Sequence, residues 1–187
     1  MSAYFAAKTV VDIITCSWSP TIFSIIVYWT IGYQPLAGKF FVYWIFMVLD
    51  AIAALSLATA VTCLCISIEM STVVLSLLLE LSRLYGGFFT SPLQLSEGYN
   101  QWQFADALSY LKYTFVGIAL NELEDLTLTC TAAQAAAGGS SCYTTGESIS
   151  AAKGYDQYSI GFCAGILVVY IVGLRVIAYL GLRYLKS

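Results

Sequence analysis

The chain has 187 residues, of which 59% are hydrophobic and only 10% charged, with a net charge of −3. A soluble domain carries about 25% charged residues, and a chain of this size has too much surface to hide so apolar a composition. There is no histidine and no run of basic residues. These absences argue against nucleic-acid binding, a histidine-ligated zinc site and Ser-His catalysis. The apolar composition predicts a membrane protein.

The first predicted span covers residues 13–34, within a stretch that contains no charged residue. Tyr28, Trp29 and Tyr33 lie near its end, where amphipathic rings favour the level of the lipid headgroups. The segment Gly32–Lys39 contains proline and two glycines, so it predicts a short turn.

The next two predicted spans cover residues 40–66 and 70–90 and form a tight helical hairpin. The first of them carries Asp50. We expect Asp50 to bond either a hydroxyl of a neighbouring helix or Arg83, and the alternative is a role in proton coupling. The second carries Glu80 and Arg83, three residues apart on one helix face. They form either a self-neutralising pair that anchors packing or part of a polar path through the membrane.

Residues 91–156 are acidic and predict a large external loop. Within this loop, apolar residues recur at the spacing of a short amphipathic helix, which we expect to lie on the membrane, to re-enter it or to pack on the other helices. These apolar residues are Leu108, Leu111, Phe115, Ala119 and Leu123. Glu122, Glu124 and Asp125 at its end predict a solvated helix end, because the spacing of an EF-hand calcium loop is absent.

Cys130 and Cys142 lie in a polar, Gly/Ser-rich stretch and are the candidate disulfide.

The last predicted span covers residues 157–182 and is followed by Arg183 and Lys186. Four crossings place both termini on one side, and the basic tail together with Lys8 favours the cytoplasm for that side. The predicted fold class is an all-α membrane protein with about four transmembrane helices, plus a short re-entrant or interfacial helix in a large external loop.

Several motifs, in order along the chain, resemble the carboxyl-terminal part of the ABC-2 type transmembrane domain of G-subfamily ABC transporters. This is the White and breast-cancer-resistance type of half transporter. The motifs are Tyr4-Phe5-x-x-Lys8-Thr9, Pro20-Thr21-Ile22-Phe23 with Tyr28-Trp29, Phe40-Phe41, Gly86-Gly87-Phe88-Phe89, Ser109-x-x-Lys112-Tyr113-x-Phe115, Asn121-Glu122, Cys142-x-x-Thr145-Gly146, and Arg175-x-x-Ala178-Tyr179.

The resemblance implies a partial domain over residues 1–187, because the family's polypeptide also has an ATPase with a GxxxxGK[ST] phosphate loop and two further spans. We therefore expect a fragment, a split transporter or an incomplete gene product. ATP and Mg²⁺ are expected to bind the missing ATPase domain. We therefore expect no catalytic, cofactor-binding or metal-binding residue in this chain, and we do not expect it to be an enzyme by itself.

The resemblance also implies site residues. Leu79, Glu80 and Arg83 match the stretch that lines the family's substrate path, and Phe88 and Phe89 match the apolar plug that forms its outer gate. A simpler interpretation of the two phenylalanines is an interfacial aromatic belt. The pair Cys130 and Cys142 is expected to form an intrachain disulfide or, as the family also allows, a bridge between subunits.

The predicted function is the membrane part of an ATP-driven exporter of lipids, sterols or amphipathic small molecules, in the plasma membrane or an internal membrane. Its expected partners are the lipid bilayer, a second half transporter in a homo- or heterodimer, an ATP-binding domain and a hydrophobic or amphipathic substrate. A tetraspanin-like scaffold is disfavoured because the external loop lacks a Cys-Cys-Gly motif. A small channel is disfavoured because no repeated polar face is expected along any span.

Overall fold

The computed structural model describes residues 2–88, 108–129 and 143–184, and helices make up most of them. The helices are α1 (Ser2–Ile31), α2 (Ala37–Leu64), α3 (Ile68–Leu84), α4 (Tyr110–Leu123), α5 (Gly146–Lys153) and α6 (Ile160–Tyr184). Within these described ranges, β pairing is confined to one isolated antiparallel bridge, Thr127 with Thr145. The predicted all-α fold class is confirmed.

Three of the described helices are long and apolar enough to cross a membrane, namely α1 from Tyr4 onwards, α2 and α6. α3 has 17 residues, which at about 1.5 Å per residue cover about 25 Å, close to the minimum for a hydrocarbon core of about 30 Å. The chain is therefore an integral membrane protein with three clear candidate spans and a fourth, shorter helix. α1 begins at Ser2 and includes Lys8 and Asp12, so helical structure starts well before residue 13.

α2 is the central helix of the bundle, and it packs against α1, α3, α4 and α6. Its closest approach to α6 uses small residues, because Ala60 and Ala178 are both buried and Gly181 lies against Cys63. Small side chains let two helix backbones approach closely within a membrane.

The first turns of α1 and the last turns of α6 lie at the same end of the bundle, where the rings of Phe5 and Tyr179 are 5.6 Å apart. We call this the termini end. The opposite end carries the α1–α2 turn, the end of α4 and α5, and we call it the cap end.

α4 starts level with the middle of α2 and ends at the cap end. Near its start, Tyr110 stacks on Tyr170 of α6 with ring centroids 5.7 Å apart. Midway along, Gly117 allows close contact with α2, because a Cβ there would lie 2.4 Å from the Phe46 ring. The sequence left three locations open for this helix: on the membrane, re-entering it, or packed on the other helices. The structure shows α4 packed on the other helices, inside the bundle.

Candidate functional site

α3 has three distinct faces. One packs half-buried on the core through Leu75, Leu78 and Leu79. A second is apolar and exposed, and it includes Leu77 and Leu81. Between these two faces runs a line of exposed polar residues at spacings of three and four, which places them on one side of a helix. This line, called here the α3 stripe, consists of Glu69, Thr72, Ser76, Glu80 and Arg83.

Within the α3 stripe, Arg83 Nη1 lies 3.3 Å from Glu80 Oε1, and the two side chains are 67% and 68% exposed. The hydroxyls of Thr72 and Ser76 donate to backbone carbonyls of their own helix, at 2.8 and 2.9 Å. These hydroxyls are therefore satisfied in any surroundings. The ionised pair is different, because an exposed charge on a membrane helix requires water or a polar partner.

The structure places the predicted path residues in two environments. Glu80 and Arg83 lie together on the α3 stripe, whereas Leu79 packs half-buried against the core. Sequence reasoning identified the charged pair but missed Glu69, Thr72 and Ser76, so the expectation that no span has a repeated polar face is wrong for α3. The signal was present, since all five stripe residues recur at spacings of three and four.

The candidate gate residue Phe88 lies at the cap end, directly after α3, and its side chain is 73% exposed. Gly87 before it has a φ of +81°, a left-handed conformation that favours glycine. The Phe88 ring meets Phe115 of α4 edge to face, with centroids 6.1 Å apart. Phe115 in turn meets Tyr155 at 6.2 Å. Phe88 is thus part of an aromatic cluster that joins α3, α4 and the α5–α6 connection.

Tyr155 supports this cluster through its hydroxyl, which donates to the carbonyl oxygen of Gly87 at 3.2 Å. Burial raises the pKa of the Tyr155 phenol, so the phenol is protonated and can donate at neutral pH. The turn that carries Phe88 is therefore tied to the segment between α5 and α6.

A polar network at the cap end joins the α1–α2 turn to the end of α4, and we call it the cap latch. The backbone N–H of Gln34 donates to Glu122 Oε1 at 2.9 Å, and Gln34 Nε2 donates to the Glu122 carbonyl at 2.9 Å. Lys39 donates to Gln34 Oε1 at 3.0 Å and to the Glu124 carbonyl. Asn121 Nδ2 donates to the Lys39 carbonyl at 3.0 Å.

The cap latch corrects the interpretation as a solvated helix end for Glu122 alone, whose carboxylate accepts from a turn that is distant in sequence. Glu124 and Asp125 are exposed, as predicted, and Glu124 contributes its backbone carbonyl to the latch.

Asp50 of α2 and Arg175 of α6 are two ionisable residues that bond side chains of neighbouring helices. Asp50 Oδ1 accepts from Thr114 Oγ1 of α4 at 2.9 Å, which matches the expected bond to a neighbouring hydroxyl. Arg175 Nε donates to Ser56 Oγ at 3.0 Å, and its Nη1 lies 3.9 Å from Asp12 Oδ2. Both therefore fix helices to one another.

Three of the predicted site residues, Phe89, Cys130 and Cys142, lie outside the described residues. The outer gate, which was predicted for Phe88 and Phe89, and the disulfide stay predictions.

The comparison with protein families decides what this bundle belongs to. Residues 1–123 match the model of the ABC-2 type transporter family. The chain belongs to the ABC-2 type transporter family.

Relatives of this ABC-2 type chain carry transporter names. It is 30% identical to ABC transporter G family member 1 of Dictyostelium discoideum, over 98% of this chain and 23% of that protein. It is 26% identical to the ABC transporter ATP-binding protein/permease wht-1 of Caenorhabditis elegans, over 97% of this chain and 27% of that protein. It is 28% identical to Protein white of Ceratitis capitata, over 96% of this chain and 26% of that protein.

The chain thus spans about a quarter of the length of these relatives. The resemblance to G-subfamily transporters is confirmed, and the chain is similar to part of an ABC transporter's membrane domain.

Proposed function

We propose that this chain is the membrane-spanning part of an ATP-driven exporter of lipids, sterols or amphipathic small molecules. In this proposal the α3 stripe lines the substrate path, and Phe88 with Phe89 forms the outer gate. ATP binding and hydrolysis, with Mg²⁺, occur in an ATP-binding domain on another segment or a partner chain. The chain itself contributes no catalytic residue.

The observation that carries this proposal is the exposed Glu80–Arg83 pair on α3, beside an exposed apolar face of the same helix. An ion pair facing lipid is unfavourable, whereas charges that face a water-filled cavity or a bundle interior are common at transport sites. The α3 stripe continues the polar surface over the length of α3, and it leads towards Gly87 and Phe88 at the cap end. A molecule that follows this stripe meets both polar and apolar surface, as an amphipathic substrate requires.

The same surface supports the proposal of a dimer. The α3 stripe and the exposed apolar face beside it are uncovered in a single chain. A second half transporter facing α3 would enclose the stripe between two subunits and keep it away from lipid. This places the proposed path at a dimer interface.

The test is ATP-dependent uptake of fluorescent sterol and phospholipid analogues into inside-out membrane vesicles that contain this chain together with its ATP-binding domain. The variant Glu80→Leu with Arg83→Leu removes both charges. We expect a change of at least about tenfold in the relative uptake of polar and apolar analogues, corresponding to about 1.4 kcal/mol.

The matched control exchanges the pair, Glu80→Arg with Arg83→Glu, and keeps the polarity of the surface. It should retain the wild-type preference within about threefold, because an i,i+3 pair forms in either order. If the double-leucine variant took up every analogue at the wild-type level, α3 would be excluded as the path. Absence of any ATP-dependent uptake by the wild type would refute the transport proposal.

We further propose that the termini end faces the cytoplasm and the cap end faces outward. The positive-inside rule supports this through Arg183 and Lys8. A membrane-impermeant thiol reagent tests it with single-cysteine versions of the chain. A cysteine at Ala152 in α5 should react in intact cells, whereas one at Tyr4 should react only after the cells are opened.

A further inference from the structure

A cavity of about 420 Å³ lies at the cap end, where the end of α4, α5 and the start of α6 meet. We call it the acidic cavity. Of the described residues, none from α3 lines it, and Phe88 does not line it either. An inference about this cavity therefore goes beyond the proposed function and does not depend on it. The volume is in the range of about 300–1,000 Å³ that is typical of small-molecule sites.

The charged side chains that line the acidic cavity all have the same sign. They belong to Glu124 after α4, Glu147 in the first turn of α5 and Asp156 in the α5–α6 connection. All three residues are exposed. Within the described ranges, their carboxylate oxygens form no ion pair and accept no hydrogen bond. The cavity therefore favours a cation.

A buried hydroxyl in the same lining points independently to a ligand. Ser150 lies one turn after Glu147 and lines the cavity. It is only 7% exposed, and its Oγ has no hydrogen-bond partner among the residues that the structure describes. Ser148 on the same helix, by contrast, donates to the Thr145 carbonyl at 2.6 Å. Buried hydroxyls are normally paired, because an unpaired one has lost its bonds to water. An ammonium group in the cavity would supply a donor for this oxygen.

Another part of the lining is aliphatic. Leu120 and Leu123 of α4 and Ile160 of α6 form it, and burial of methylene groups on such a surface is favourable. The ring of Tyr158 also lines the cavity, but the ammonium of Lys112 already lies 5.0 Å from its centroid. Tyr158 is therefore not the surface that selects a second cation. Carboxylates beside an aliphatic surface favour an alkyl amine over an aromatic cation.

The arrangement of the carboxylates indicates the size of the cation. Within the described ranges, no group of three acidic or thiol side chains could hold a metal ion. Lys39 donates to the Glu124 carbonyl, so a positive charge is already present at that edge of the cavity. Glu147 and Asp156 lie on separate segments and have no such neighbour bonded to them. A chain that carries two or more ammonium groups can contact both.

We propose that the acidic cavity binds an aliphatic polyamine. Its ammonium groups contact Glu147 and Asp156, one of them donates to Ser150 Oγ, and its methylene chain lies on the aliphatic lining. The bound amine connects α4, α5 and α6, and it removes the repulsion between unpaired carboxylates. It therefore stabilises the cap end, and the unfolding temperature rises with the amine concentration.

The test is isothermal titration calorimetry of the chain in phosphatidylcholine nanodiscs with spermidine, after subtraction of the heat from empty nanodiscs. Glu147→Gln should weaken binding about threefold, the size expected for one contact between exposed charges. Its combination with Asp156→Asn should weaken binding about tenfold. The matched control Asp125→Asn removes one charge beside Glu124, and it should change the affinity by less than about 1.5-fold, because Asp125 does not line the cavity. Asparagine also tolerates the φ of +58° at this position.

Ser150→Ala separates binding from folding. The change removes no hydrogen bond of the Ser150 hydroxyl within the described residues, and alanine is the better helix former. The unfolding temperature without spermidine should therefore not fall. Spermidine should nevertheless bind about fivefold more weakly, because an ammonium N–H loses its acceptor. A hydroxyl that only fills space predicts unchanged affinity in this variant.

Comparison of ligands completes the test. 1-Aminopentane carries one ammonium group and should bind at least about tenfold more weakly than spermidine. Wild-type affinity for spermidine in both the double variant and Ser150→Ala would overturn the proposal, and so would equal binding of 1-aminopentane. Tighter binding of Ca²⁺, added as calcium chloride, than of spermidine would also overturn it, because the cavity would then be a metal site.

Discussion

α2 and α3 both carry ionisable residues in an apolar helix, but they use them in opposite ways. Asp50 of α2 lies inside the bundle and bonds Thr114 of α4. Glu80 and Arg83 of α3 are about two-thirds exposed and contact each other. The difference shows that a charge in a membrane helix is informative only together with its surroundings. On α2 it positions another helix, whereas on α3 the two charges pair with each other on an exposed surface.

Disrupting the contact between α2 and α4 is expected to give the largest loss of stability. Gly117→Leu places a side chain where even a Cβ would lie 2.4 Å from the Phe46 ring. We expect a loss of about 3 kcal/mol in the free energy of unfolding, because overpacking forces the two helices apart. Unfolding by SDS in mixed micelles, followed by near-UV circular dichroism, measures this change.

The matched control is Gly165→Leu on α6, where a Cβ has no neighbour within 4 Å. It should change the unfolding free energy by less than about 0.5 kcal/mol. Equal losses in both variants would mean that the α2–α4 contact is not the cause.

The carboxylate of α2 gives the next largest effect. Asp50→Leu removes the acceptor for the Thr114 hydroxyl, so amide hydrogen exchange within α4 should become about tenfold faster, equivalent to about 1.4 kcal/mol of local stability. Asp50→Asn keeps an acceptor oxygen and should exchange at close to the wild-type rate. Glu80→Leu on α3 should leave exchange in α4 unchanged, and faster exchange in that variant would remove the distinction between the helices.

The turn that leads into α2 has a smaller effect. Gln34→Ala removes the side-chain bonds to Glu122 and Lys39, which should cost about 1 kcal/mol of unfolding free energy. Gln157→Ala, at an exposed position after α5, is the control and should be neutral. A neutral result for Gln34→Ala would show that the cap latch does not stabilise the fold.

The smallest effect on stability is expected on the α3 stripe. Ser76→Val removes a hydroxyl that bonds only its own helix, so stability should change by less than about 0.5 kcal/mol. Uptake of polar amphipaths should nevertheless fall severalfold if the stripe lines the path. Thr30→Val on α1 is the matched control, because its exposed hydroxyl also bonds its own helix. Its uptake should remain at the wild-type level.

Much of the fold could be predicted because apolar runs specify membrane helices directly. The runs that contain α1, α2 and α6 were visible from composition alone, and periodicity revealed α4 through Leu111, Phe115 and Ala119. The packing of α4 inside the bundle could not be predicted. It depends on the fit of Gly117 to Phe46 and of Thr114 to Asp50, and both pairs are distant in sequence.

The candidate site was predicted less completely. Glu80 and Arg83 were found because charges stand out in an apolar run, whereas Thr72 and Ser76 were missed because hydroxyls are common in membrane helices. The cap latch was missed for a different reason. Glu122 has no sequence signal that distinguishes a solvated carboxylate from one that binds a turn almost ninety residues away.

The position of α4 has a consequence for the order in which the protein assembles. Tyr110 stacks on Tyr170, and Val116 shares its buried cluster with Leu167, so α4 is completed by a helix that the ribosome makes later. α4 is also too short to cross the bilayer unaided. Its contacts with α2 can form first, whereas the part of its surface that packs on α6 stays uncovered until α6 has been made.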